Sequence, residues 1–349
     1  MSIQTFNNTP RRVNTFKGEV LAHADTVNVL GIVGSHKTIP KNSGDTVTWR
    51  RWLPLGGIDN KWITGANVNT YAPDHLLTEG VTPSADILVP VDVTAQLKQY
   101  GCLYAVTDKQ VDLGEDDVPA EMKVQVGQRI GLLREMVIFG ALKGITNVYY
   151  GGTGLSPSTV NGTISIPMLR RITKNLKSNH AKMVTGVLSS SGDFGTVAVE
   201  ASYLVFTSTD MEPAIRDLPG FKHRSEYGSG QVVHPQEIGS VESFRFVLSP
   251  ELAQNVNAGA AVGSTGLSST GGANIDIYPM IVTGEDAWGQ VALRGMDSVD
   301  VTYLPPGQKD KIDPLGQKGY VGAKIYMASA VLNNGWAALA WVGTPDLVG

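Results

Sequence analysis

Glu115–Lys143 reads EDDVPAEMKVQVGQRIGLLREMVIFGALK. Glu115, Asp116 and Asp117 precede Pro119. Acidic groups favour the positive end of a helix dipole, and proline fits the first turn. Met122, Val126, Ile130, Leu133, Val137 and Ala141 then recur at spacings of three and four, which predicts one apolar face on a helix from Pro119 to about Lys143. At 1.5 Å per residue such a helix is roughly 37 Å long. Gly127, Gly131 and Gly140 lie inside it, each costing about 1 kcal/mol against alanine. For Gly127 and Gly131, four residues apart, two readings stay open: a tolerated weakness, or a place where another backbone comes close.

Upstream, residues 43–95 form a long extended excursion. Thr46–Leu53 (TVTWRRWL) alternates as a strand and Ile87–Val93 reads as its partner. Between them, residues 54–85 are rich in Gly, Pro, Asn and Thr. A two-stranded ribbon cannot bury both faces alone, so it has to lie on another surface. Trp49 and Trp52 sit where no core of their own is in view, so they read as interface anchors. Residues 1–40 show no sustained periodicity. Thr26–Val33 is a candidate short strand, and polar residues 2–18 read as an arm that orders only against something else.

Downstream, Tyr149–Gly154 (YYGGTG) is a turn, and Pro167–His180 predicts a second amphipathic helix with Met168, Ile172 and Leu176 on one face. Ser202–Thr207 is a buried-type strand, and Thr209–Arg216 starts a short helix with Thr209 or Asp210 as cap. Strand-like runs follow within Val232–Leu248, Ile275–Val282, Ala287–Leu293 and Val299–Tyr303. Residues 253–274 (AQNVNAGAAVGSTGLSSTGGAN), nearly free of charge, read as a mobile loop. Residues 320–342 read as an apolar hairpin turning at Asn333-Asn334-Gly335. Trp336 and Trp341 within it are candidate contact anchors too, though the core reading is favoured for both.

The chain has 349 residues, 42% hydrophobic and 17% charged, with a net charge of −4. That composition fills a core and gives no basic field for gripping nucleic acid. Arg11–Arg12, Arg50–Arg51 and Arg170–Arg171 are isolated pairs. Cys102 is the only cysteine, so neither an intrachain disulfide nor a Cys-based zinc site is expected. No secretion signal or transmembrane run is visible, so a soluble protein that stays in the cell that makes it is expected.

Catalytic chemistry is equally absent from the pattern. The six histidines form neither HxH nor HExxH. There is no GxSxG elbow, no phosphate-binding GxxxxGK[ST], and Gly151-Gly152-Thr153-Gly154 follows a helix instead of a strand. Ser189–Asp193 and Gly263–Gly266 are plain serine–glycine loops, and Asn161-Gly162-Thr163 is a turn. An acidic helix start accounts for Glu115–Asp117 more simply than a cation site. No catalytic, cofactor-binding or metal residue is expected.

The order of elements (arm, β-excursion, acidic start, long helix, α+β middle, terminal β-segment) resembles the major capsid proteins of tailed bacteriophages, with the Hong Kong 97-type fold. In wording the chain is similar to the coat-protein family typified by phage N-four. The residues that carry this are Lys41–Arg51, Leu132–Gly152, Tyr203–Phe221, Glu237-Ile238-Gly239 with Phe244–Val247, Tyr278–Trp288 and Tyr320–Leu332.

The resemblance implies an α+β capsid subunit. Residues 1–40 would be the N-terminal arm and 41–98 the extended β-loop overlapping a neighbour. The peripheral domain with its spine helix would comprise 99–159 and 286–349, and the axial domain 160–285. Such a subunit would self-assemble as pentamers and hexamers into an icosahedral head in the host bacterial cytoplasm. It would enclose double-stranded DNA without sequence-specific binding, touch no membrane, and meet scaffolding, portal and decoration proteins. No Lys–Asn cross-link is expected. Candidate subunit-interface residues are Trp49, Arg50, Arg51, Trp52, Trp62, Gly127 and Gly131. The alternatives are another phage structural protein, such as a tail tube or decoration subunit, and a hydrolase of unknown class. One long helix flanked by a long β-loop separates the capsid reading from the tail-tube or decoration reading.

Overall fold

The computed structural model describes residues 27–40, 42–54, 60–63, 68–83, 85–114, 116–188, 196–227, 232–263, 265–293, 299–309 and 313–347. The arm read at 2–18, Glu115 of the acidic run and the Ser189–Asp193 loop lie outside them. In chain order the strands are β1 (Ser35–Ile39), β2 (Thr46–Trp52), β3 (Pro90–Gln96), β4 (Lys98–Thr107), β5 (Val148–Tyr150), β6 (Val184–Leu188), β7 (Thr196–Thr207) and β8 (Lys222–His223). They continue with β9 (Glu237–Val241), β10 (Phe244–Leu248), β11 (Tyr278–Thr283), β12 (Trp288–Leu293), β13 (Asp300–Leu304), β14 (Lys318–Val331) and β15 (Ala337–Val342). The helices are α1 (Tyr71–Asp74), α2 (Asp108–Leu113), α3 (Val118–Leu142), α4 (Ile166–Ser178) and α5 (Glu212–Arg216).

The long helix forms where its sequence places it. Asp117 is its N-cap, its carboxylate accepting the Ala120 N–H at 3.1 Å. Its burial differs from the single stripe expected. Met122, Val126 and Ile130 are buried against Val106 of β4 and Val321, Ala323 and Ile325 of β14. In the second half the buried residues are Glu135, Ile138, Phe139 and Leu142, while Leu133, Val137 and Ala141 are only half-buried. At roughly 100° per residue the two buried sets lie on nearly opposite sides of the helix. The reason is that α3 spans two cores: its second half packs with Leu204, Phe206, Val247, Ile281 and Leu339.

Those two cores belong to two sheets. In one, β14 pairs antiparallel with β4 along one side and with β13 and then β12 along the other, and β1 adds parallel to β12. The other has the order β5-β15-β11-β7-β10-β9-β8, with β6 also on β7. One face of this second sheet takes the end of α3, and the other takes α4 and α5 through Met168, Leu169, Ile172, Leu176, Met211 and Ile215.

Three expectations are corrected here. Val29 and Leu30 are fully buried, and the Glu135 carboxylate accepts both of their N–H groups at 2.9 Å. Residues 27–40 therefore belong to the subunit's own core, and the strand of this region is Ser35–Ile39 instead of 26–33. Burial outweighs those two hydrogen bonds and raises the Glu135 pKa. Second, 320–342 is not a hairpin: β14 and β15 lie in different sheets, and Asn334–Trp336 is a 3-10 turn where the chain crosses between them. Third, 253–274 is tied down. Asp276, fully buried, accepts the Asn257 N–H at 2.7 Å, the Thr270 N–H at 2.7 Å and the Thr270 hydroxyl at 2.6 Å. Leu267 is buried as well.

Candidate assembly surface

The excursion is a two-stranded antiparallel ribbon. Its register runs from Thr46 opposite Gln96 to Trp52 opposite Pro90, so the second strand starts three residues later than its apolar run suggested. The base of the ribbon is built into the subunit. Trp49 is 7% exposed and clusters with Ile39, Ala95, Val291 and Ala328, which corrects its reading as an interface anchor. Its ring lies flat enough on β12 that a Cβ at Gly289 would come within 2.8 Å of it. The Lys37 ammonium sits 5.4 Å from the ring centroid.

Arg50 and Arg51 point elsewhere. Arg50 makes a bidentate pair with Asp92 across the ribbon, both bonds at 2.7 Å, and this pairing lowers the Asp92 pKa. The pair is solvent-exposed, so it fixes strand register more than it adds stability. Arg51 donates to the Asn60 carbonyl oxygen at 2.9 Å. Asn60, at φ 57°, then exchanges two amide hydrogen bonds with the buried Asn333, at 2.9 and 2.7 Å. Asn333 also accepts the Gly335 N–H at 3.0 Å. A Cβ at Gly335 would lie 2.4 Å from the Asn60 amide nitrogen, so a side chain there would push that amide out of its pairing with Asn333. The ribbon is thus latched to the crossover between the two sheets, a contact that nothing in the local sequence announces.

The tip behaves in the opposite way. Trp52 and Trp62 are more than half exposed, as an interface reading requires. Leu76 is 81% exposed and Ile87 84%, and Leu77, Val81 and Leu88 are exposed too. The sequence reading names Trp62 but takes 54–85 otherwise as a connection, without Leu76, Leu77 and Val81, and places Ile87 and Leu88 in the second strand. The signal for the first pair is Leu76-Leu77, apolar in a stretch with no periodicity to bury them, while Ile87-Leu88-Val89 lies just before the paired strand that starts at Pro90. Among the described residues an added Cβ at Gly127 would meet nothing within 4 Å, so none of them brings another backbone against it, and Gly131 is half-buried.

Nothing in this surface is arranged for bond-making chemistry. Among the described residues no three His, Cys, Asp or Glu side chains converge as metal ligands. Burial lowers the pKa of His36, helped by Arg134, and burial lowers that of His234. The two rings lie in different parts of the fold. Among the described residues no helix is long and apolar enough to cross a membrane.

No protein-family profile matches the chain. Over the whole length, however, it superposes on the capsid of Ralstonia phage GP4, with TM-score 0.67, 12% identity and 100% of both chains covered. The fold is that of a phage capsid protein. The head of Helicobacter pylori bacteriophage KHP40 gives TM-score 0.59 at 12% identity, covering 99% of this chain and 98% of the other. The capsid of cyanophage P-SCSP1u gives 0.58 at 16% identity over 97% of each. In sequence the chain is 23% identical to the major capsid protein of Pseudomonas phage KPP21, across 89% of this chain and 87% of the relative. With that relative beside the fold, this is a structural phage capsid protein and not an enzyme. A capsid subunit has a use for a ribbon whose base is rigid and whose apolar tip is bare.

Proposed function

We propose that the chain is the repeating subunit of an icosahedral phage head, assembling as pentamers and hexamers around double-stranded DNA, and that it belongs with the N-four-type coat proteins. The observation that carries this is the ribbon tip, which exposes Trp62, Leu76, Leu77, Ile87 and Leu88 on a chain whose whole length matches capsid subunits. Exposed apolar area of that kind mark a protein interaction site. At about 25 cal/mol per Å², covering it with a neighbour supplies a driving force repeated at every subunit.

In this reading α3 is the spine helix. The sheet of β1, β12, β13, β14 and β4 with the first half of α3 forms the peripheral domain. The second sheet with α4 and α5 forms the axial domain, to which β5 and β15 are contributed from segments on either side of it. The close approach open at Gly127 is made by a neighbouring copy. Portal, scaffolding and decoration proteins are the partners such a shell calls for, and host cytoplasm is where it assembles. The pairing of one long helix with a preceding long ribbon favours this over a tail tube or decoration subunit.

Electron microscopy of the purified chain, alone and with a scaffolding partner, is the test. Hollow polyhedral shells or five- and six-membered rings are expected. A monomer that persists at high concentration contradicts the reading.

A further inference from the structure

Helix α4 carries surface charge of one sign. Residues 163–183 contain Arg170, Arg171, Lys174, Lys177 and Lys182 and no Asp or Glu, in a chain with 32 acidic and 28 basic residues. Because Met168, Leu169, Ile172 and Leu176 turn into the core, the cations are left outside. Arg170 is matched by Glu242 at 2.7 Å. Arg171 rests 5.5 Å from the centroid of the Tyr149 ring. Among the described residues Lys174 and Lys177 have no carboxylate partner.

Along the β5 edge these side chains border a cavity of about 400 Å³, with Tyr149, Arg171, Lys174, Asn175 and Ser178 in its walls and no carboxylate among them. Asn175 donates to the Asn147 carbonyl oxygen at 2.9 Å and to the Tyr149 hydroxyl oxygen at 2.7 Å. The Tyr149 hydroxyl is therefore left with its proton to donate, alongside Arg171 and Lys174. Among the described residues, the charged groups lining this space, Arg171 and Lys174, are both cations.

A second patch has the opposite character. At the end of the same sheet, where β11 begins and β15 finishes, Asp210, Glu212 and Asp346 surround a cavity of about 650 Å³ with Tyr278 and Thr344. Among the described residues lining it the cation is Arg216, which Glu212 holds. The two patches share no residue. They do share a layer, since α4 and α5 bury their apolar sides in one cluster.

We propose that the basic face of α4 docks on the Asp210–Glu212–Asp346 patch of a second copy, a head-to-tail contact between neighbours around a ring. This rests on the capsid reading above. A basic face repels its own image, so a contact between copies through α4 has to be heterologous, and heterologous contacts close into rings when the rotation allows. Charge pairs of this kind fix register and partner choice more than they supply affinity. Lysine ammoniums on flexible stems hold the match through the small change of angle between five- and six-membered rings.

The test compares the natural chain with Arg171→Glu/Lys174→Glu, with the milder Arg171→Gln/Lys174→Gln, with Asp210→Lys/Asp346→Lys, and with the two reversals combined in one chain. Subunit melting by circular dichroism guards against misfolding, and the Gln pair keeps the test valid where the Glu pair unfolds. Sedimentation velocity and negative-stain microscopy read ring and shell formation at low and high salt. Each reversal should raise the concentration needed for assembly by about tenfold or more, and the combined chain should regain most of that loss. The Gln pair should assemble more weakly than the natural chain at low salt, and the difference should shrink at high salt.

Either reversal assembling at the natural concentration overturns the proposal, and so does a combined chain no better than its parents. Normal empty shells with reduced DNA content would overturn it too, and would assign the face to nucleic-acid phosphates. If the natural chain itself forms neither rings nor shells, it is the capsid reading that fails.

Discussion

The two ends of one ribbon obey different rules. At its base, Trp49 is buried against Ile39, Val291 and Ala328 of its own subunit, while at its tip Leu76 and Ile87 are more than four-fifths exposed. Both ends carry large apolar side chains, so composition does not separate them. The difference is whether a partner surface exists within the molecule. The base has β12 and β14 beneath it, and the tip has none among the described residues. In the proposed reading, a subunit built this way folds by itself up to the base and completes its burial in an assembly.

The largest effect that could break this contrast comes from the base. Trp49→Ala should cost the dissociated subunit about 3–5 kcal/mol, because it empties a packed site. Urea denaturation measures this, and an unchanged midpoint would mean that the base too waits for a neighbour.

A second variant sharpens the contrast with another glycine-rich stretch. The segment 253–274 is as polar and glycine-rich as much of the tip, yet it is held by Asp276. Burial raises the Asp276 pKa, but the Thr270 hydroxyl and the Asn257 and Thr270 N–H groups lower it more, so the net pKa is depressed. A depressed carboxylate stabilises the fold above its unfolded value, about 3.8–3.9, and that contribution fades as pH falls through the folded value. Asp276→Asn should therefore cost about 1–3 kcal/mol at pH 7 and much less in acid, read as melting temperature against pH.

Asn60→Ala removes the latch at the crossover. Leaving Asn333 buried without its amide partner should cost about 1 kcal/mol in the subunit and let the tip swing. Amide exchange should rise at residues 60–63 and stay unchanged at Trp49. The smallest effect on folding belongs to the tip itself. Leu76→Ser with Leu77→Ser should change subunit stability by less than about 0.5 kcal/mol while abolishing shells seen by electron microscopy.

Much of this was legible in the sequence where the cause is local. The acidic cap, the length of α3, the apolar face of α4 and the existence of the ribbon all follow from residues near one another. What was not legible depends on distant partners. A single stripe was expected on α3 because periodicity assumes one packing surface, whereas the helix meets two. Asn333-Asn334-Gly335 has the composition of a hairpin turn, but the Asn333 side chain is spent on Asn60 and the flanking strands enter different sheets. Trp49 looked coreless because its platform, Gly289, lies far along the chain. The looseness of 253–274 was compositional, and one buried carboxylate reverses it. Of the interface candidates, Trp52 and Trp62 are exposed, Arg50 and Arg51 are engaged within the subunit, and Trp49 is core.

Hydroxyl-radical footprinting of dissociated subunits against assembled particles tests the central claim most directly. Leu76, Leu77, Ile87 and Leu88 should be labelled freely in the subunit and become strongly protected in the particle, with Trp49 protected in both. Equal labelling of those four side chains in both states would contradict the account, because the tip would then have no neighbour to cover it.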